Sequence, residues 1–113
     1  MIIKELLAAL YQQPETIQFE QVIAAIDAEF DFKPTAFIVG KQQNAAGENQ
    51  GSCKVLAFAH SAGLSQKHAL LLFAEHYRAV LAEPDGSAHQ NIRQFMEHSW
   101  QQVSFATKPL HKK

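Results

Sequence analysis

Apolar residues recur along this chain at spacings of three and four, the period that lines them up on one stripe of an α-helix. Ile3, Leu6, Leu7 and Leu10 form the first stripe, which Pro14 ends. Phe19, Val22, Ile23, Ile26 and Phe30 form a second, broken by Asp31 to Pro34. A third helix is expected from Ser52 to about Ala62, with Val55, Phe58 and Ala59 on one side and Gly63 as its stop. Ser65 suits the N-cap of a fourth and longest helix, whose stripe runs through Leu70, Phe73, Ala74, Tyr77 and Leu81 before Pro84-Asp85-Gly86 turns the chain. Ser87 and Gln90 have the spacing of a capping box, opening a fifth helix that buries Ile92, Phe95, Met96, Ser99, Trp100 and Val103.

Between the second and third stripes the pattern changes. Thr35 to Val39 is short, β-branched and aromatic, and reads as an extended segment or a brief strand. Gly40 to Gly51 is rich in glycine, asparagine and glutamine and forms the one long loop. Lys108 to Lys113 is basic and reads as a flexible tail. The pattern therefore predicts a mainly α fold. Residues 1–107 form a compact single domain of about five helices with one long Gly/Asn-rich loop, followed by the tail at 108–113.

Composition narrows the classes of function. The 113 residues suffice for one core, and 47% hydrophobic against 19% charged residues argues for folding rather than disorder. Ten basic and eleven acidic side chains give a formal charge of -1, too balanced for a nucleic-acid platform. Six histidines would carry that charge to about +5 if all were protonated. One cysteine excludes an internal disulfide and a Cys-rich zinc site. No apolar run is long enough to span a bilayer, and the apolar N-terminus carries a Lys4-Glu5 pair rather than the basic start and uncharged core of a secretory signal. A soluble cytoplasmic protein with no membrane partner is the expectation.

Several blocks taken in order resemble a known family. Phe32-Lys33-Pro34-Thr35-Ala36-Phe37, Asn44 to Lys54, Pro84-Asp85-Gly86 and His89 to Met96 look like the signature blocks of HopJ-type proteins, and Leu64-Ser65, Tyr77-Arg78, Trp100 and Phe105 fit the same pattern. The chain departs from it at Ile38-Val39-Gly40, where a more polar run is expected, and at Ser99, where glycine precedes the tryptophan. The resemblance implies a type III effector of plant-associated bacteria, hence secretion into a host cell as the alternative to a cytoplasmic location. It brings no enzymatic activity that can be assigned to residues.

Chemistry is concentrated in two places. Gly47 to Lys54 feeds glycines and polar side chains into a helix start, where free N–H groups and the helix dipole favour an anion. Asn49, Gly51, Ser52 and Lys54, with Arg93, are the ligand-binding candidates for a small anionic ligand or a protein partner. The spacing is not that of a P-loop, so capping of the third helix by Asn49 and Ser52 is the structural alternative. Near the fifth helix, Asp85, His89 and Asn91 form a polar cluster. Cys53 beside a helix start has thiolate-stabilising electrostatics, so a thiol hydrolase is the rival reading, with Cys53 as nucleophile, His89 as base and Asn91 or Asp85 as orienter. A structural network joining the two places is the other alternative, with Arg93 bonded to loop carbonyls. His60, His68 and His76 lie eight residues apart, which is not a helical ligand pair, and neither a metal nor any other cofactor is expected. The leading expectation is a binding or interaction module that works without a cofactor.

Overall fold

The second apolar stripe does not end in a loop. In the computed structural model, which describes residues 1–113, helix α2 (Phe19–Glu29) passes directly into strand β1 (Phe30–Phe32), and helical period gives way to alternation. Ahead of it stands α1 (Ile3–Gln12), followed by a 3-10 turn at Pro14–Thr16. Strands β2 (Phe37–Val39) and β3 (Gln42–Asn44) come next, then α3 (Gln50–Ser61), α4 (Gln66–Leu71), α5 (Glu75–Ala82) and α6 (Gln90–His98). A second 3-10 turn at Ser99–Gln102 leads into β4 (Val103–Phe105), and β5 (Leu110–Lys112) closes the chain. The fold is thus helix-rich α+β rather than mainly α: two small antiparallel sheets, one ordered β1-β5 and the other β3-β2-β4, accompany six α-helices.

The strands escape the sequence pattern because each has three residues, too few for alternation to stand out. Thr35 to Val39 does contain a strand, β2. The long polar loop is shorter than expected, because Gln42–Asn44 pairs with β2 through a two-residue hairpin at Gly40-Lys41. Gly40 has φ of +58°, and a Cβ there would collide with the side chains of Gln94 and His98. The basic end is a paired strand rather than a free tail: Phe32 lies opposite Leu110 and Phe30 opposite Lys112. Two flanking bonds extend the ladder, Lys33 N–H to Pro109 C=O at 2.8 Å and Lys113 N–H to Glu29 C=O at 3.0 Å.

Two expected helices are cut by backbone that a right-handed helix cannot accept. The fourth is divided at Ala74, with φ +53° and ψ -123°, which turns the chain between α4 and α5 while Phe73 stays in the core. The fifth stops at His98 because Ser99 has φ +56° and ψ -154°. Val103 is consequently a strand residue, opposite Val39. Ser65 is the N-cap that its sequence suggests, its hydroxyl accepting from His68 N–H at 3.3 Å. The Ser87 capping box does not form, because α6 begins at Gln90 after a left-handed His89, and Gln90 instead donates to the Ser87 carbonyl at 2.7 Å.

One apolar cluster of 24 buried residues joins all the layers, with Phe37, Phe73 and Phe95 fully enclosed. Each such side chain contributes about 1.5 to 3 kcal/mol by leaving water. Trp100 packs on Phe95 with ring centroids 4.8 Å apart, and its indole N–H donates to the Leu64 carbonyl at 3.0 Å. The Ser99 turn is what aims that ring. Its backbone lies in a region open chiefly to glycine, so Ser99→Gly is expected to stabilise the fold by about 1 kcal/mol, read as a raised urea midpoint.

Candidate functional site

Asn44 ends β3 with its side chain only 3% exposed, and a buried amide must find partners. Its Nδ2 donates to Asn91 Oδ1 at 2.9 Å while its Oδ1 accepts from Asn91 Nδ2 at 3.0 Å, a reciprocal amide pair. The same Nδ2 reaches the Phe37 carbonyl at 3.2 Å, and the same Oδ1 accepts from Asn49 Nδ2 at 2.7 Å. Strands β2 and β3, the start of α3 and the first turn of α6 are thereby fastened at one point.

Both helices are entered through left-handed residues. Asn49 has φ +49° and ψ +47° before α3, and His89 has φ +59° and ψ +52° before α6; neither side chain caps its own helix. Asparagine tolerates this conformation better than most residues, and its amide is occupied by Asn44 instead. A small polar cleft of about 160 Å3 lies where the two starts meet, lined among others by Gln42, Asn49, Ser52, His89, Gln90 and Asn91. The first-turn N–H groups of both helices are the donors of such a place.

His89 also joins a second group of side chains. Its ring lies 4.9 Å from that of His76, which in turn sits edge-on to Phe19 at 4.6 Å. Glu75 accepts from Phe19 N–H at 2.7 Å and so caps the start of α2. Burial works against ionising Glu75, but the bonds from Phe19 N–H and its own N–H, with the nearby His76 and Arg78, bring its carboxyl below the ordinary value of 4.5. Gly51 leaves room for Phe19, whose ring would stand 3.0 Å from a Cβ at that position.

The remaining sequence candidates go elsewhere. Cys53 is 1% exposed within the apolar core, and burial pushes its thiol up to about 11. No histidine bonds to it, so the proposed nucleophile and base are not joined. Lys54 pairs with Asp27 at 2.9 Å and lies over the Phe32 ring at 5.0 Å, away from the cleft. Arg93 does not tie the two places together, because its bonds go to carbonyls of the turn before α6: Nε to Ala88 at 2.6 Å, and Nη1 to Glu83 at 2.9 Å and Pro84 at 3.2 Å. It clamps the Pro84 to Ala88 turn. Asp85 is exposed on that turn and does not line the cleft. Of the candidates, Asn49, Ser52, His89 and Asn91 are brought together. Gln42, Gln90 and His76 were missed, and although Asn44 opens the loop expected to meet His89 and Asn91, the bonds linking it to Asn91 span 47 residues, a relation without a local signal. No group of three histidine, cysteine or acidic side chains is placed to hold a metal.

A family model described as HopJ type III effector protein matches residues 3–110. This chain belongs to the HopJ family. A solved crystal structure of a protein of unknown function, VPA0580, is 42% identical in sequence and superposes with a TM-score of 0.96, covering 100% of this chain and 95% of that one. No curated protein matches the sequence. As a HopJ protein the chain has a family and a fold, while the match carries no reaction. No helix is long and apolar enough to cross a membrane.

Asn91→Leu leaves the buried Asn44 amide without its partner and is expected to cost about 2 to 3 kcal/mol in urea unfolding, whereas pairing it with Asn44→Leu costs less than the sum of the two single changes. His89 is held below the ordinary imidazole value of 6.5, by burial first and then by the positive charges of His76 and Arg93. Between that depressed value and 6.5 the unfolded chain binds more protons than the folded one. The contribution of His89 is therefore complete above about pH 6.5 and lost as the pH falls through its folded value. His89→Asn, which retains a residue suited to the left-handed conformation, is expected to flatten the fall of the urea midpoint between about pH 7 and pH 5 relative to the parent chain.

Proposed function

We propose that this HopJ protein is a binding domain without chemistry of its own, and that the cleft between the starts of α3 and α6 receives a small anionic or strongly polar group. The observation that carries this reading is the convergence of two helix starts on one polar cleft held by the Asn44–Asn91 amide pair. Ordered N–H donors at a helix start need no reorganisation to meet an anion, and each helix dipole adds a favourable potential. Ser52 and Gln90 add side-chain donors, and protonation of His89 adds positive charge at the rim. Lys54 and Arg93 play no direct part, since the one is paired with Asp27 and the other with turn carbonyls.

The thiol-hydrolase alternative lacks comparable support. Its cysteine is enclosed in hydrocarbon with a thiol at about 11, the opposite of an activated nucleophile. The family's description concerns effectors of type III secretion, which names a route of delivery; a binding domain of this kind is compatible with that route and with a role inside the producing cell.

Inorganic phosphate and acetate titrated into isotope-labelled protein test the reading. The expected result is saturable movement of the Gln50 to Cys53 and Gln90 to Ile92 amide resonances, weakened several-fold in the Ser52→Ala/Gln90→Ala double variant, with Arg93→Ala retaining the response as long as it folds. Shifts scattered over the surface, or none up to tens of millimolar anion, would leave these residues as scaffold.

A further inference from the structure

The largest cleft in the molecule, about 660 Å3, lies away from the amide pair. It runs between the end of α3 and the last strands, with Phe30, Ala57, Val103, Phe105 and Leu110 supplying apolar lining. Backbone on two sides of it is unpaired, as the ladders require. In the β2–β4 pair, Gly40 N–H donates to Gln102 C=O at 2.9 Å and Ala106 N–H to Ala36 C=O at 2.9 Å, which makes Gln102, Ser104 and Ala106 the residues bonded to β2. By antiparallel alternation, the N–H and C=O of Phe105 point to the opposite edge, where β4 has no neighbour. In the β1–β5 pair, Pro109 and Lys113 take the bonded positions, so Leu110 and Lys112 turn their backbone groups away from β1; Leu110 is buried, 6% exposed, whereas Lys112 is exposed.

Phe105, Leu110 and Lys112 all line this cleft. Charge is distributed unevenly around it: His60, Lys108 and Lys112 contribute to the lining and no carboxylate does, although Glu29 stands 3.6 Å from the exposed Lys112 ammonium. The geometry points to a docking groove for an extended acidic peptide segment of a partner protein, which adds a strand at the β4 or β5 edge and sets its carboxylates against Lys108 and Lys112. Backbone pairing supplies binding that is tolerant of sequence, the apolar floor takes alternate side chains, and the lysines select for acid. This surface is separate from the polar cleft at α3 and α6, and its test does not depend on that cleft.

Random twelve-residue peptides displayed on phage and selected on the full chain provide the test, with a Lys108→Glu/Lys112→Glu variant, confirmed as folded by circular dichroism, selected in parallel. The expected result is enrichment of acidic sequences with alternating apolar residues. A synthetic copy of the leading peptide shifts the Phe105, Leu110 and Lys112 amide resonances, binds the charge-reversed variant at least about tenfold more weakly, and loses binding when alternate peptide nitrogens are methylated. Three outcomes overturn the proposal: no enrichment, enriched peptides whose shifts map elsewhere, or binding indifferent to both charge reversal and methylation. In any of them the lysines and the short strands serve only to keep the edges from pairing with other chains.

Discussion

A single pair of buried amides holds this fold in register. Asn44 and Asn91 bond to each other in both directions, and the bonds left over reach the Phe37 carbonyl and the Asn49 side chain. Apolar packing is tolerant of small displacements, whereas a buried amide is satisfied in few arrangements and is costly when left unpaired. The pair therefore specifies where β3, α3 and α6 stand relative to one another. The polar cleft depends on that placement, because its donors belong to helix starts that the pair brings together.

Backbone exceptions do comparable work along the chain. Four non-glycine residues, Asn49, Ala74, His89 and Ser99, adopt positive φ, and each stands where a helix begins or ends. Asn49 and His89 turn the chain into α3 and α6 without capping them, leaving the entry of each helix free for another group. Ala74 swings α5 so that His76 meets His89, and Ser99 aims Trp100 at Phe95. Such conformations are tolerated only when surrounding contacts demand them, so their position beside the cleft and the core shows how strongly those contacts constrain the chain.

The chemistry divides along the same lines. A cysteine next to a glycine-rich helix start invites comparison with catalytic nucleophiles, yet helix geometry sends Cys53 inward while Ser52 lines the cleft and Lys54 turns to Asp27. Successive positions on a helix are separated by about 100°, so three neighbours in sequence serve three different environments. What remains at the cleft is the hydrogen-bonding capacity of Gln42, Asn49, Ser52, His89, Gln90 and Asn91.

The sequence by itself determined the helical stripes of α1, α2 and α3, most of the apolar core, the N-cap at Ser65, the stops at Pro14 and Gly63, and the family. Those features are local or periodic, and their physical causes lie within a few residues. The tertiary structure alone decided the rest. Three-residue strands have no readable period and exist because a partner lies beside them, which is why Lys108 to Lys113 reads as a tail in sequence although β5 pairs with β1. The division of the fourth helix at Ala74 and the end of the fifth at Ser99 were set by packing that overrides a continuous apolar stripe. At the candidate site, Asn49, Ser52, His89 and Asn91 could be chosen from polarity and position. Their connection through Asn44, like the inward turn of Cys53, depended on contacts 47 residues apart in the chain or on burial, and neither can be expressed as a local pattern.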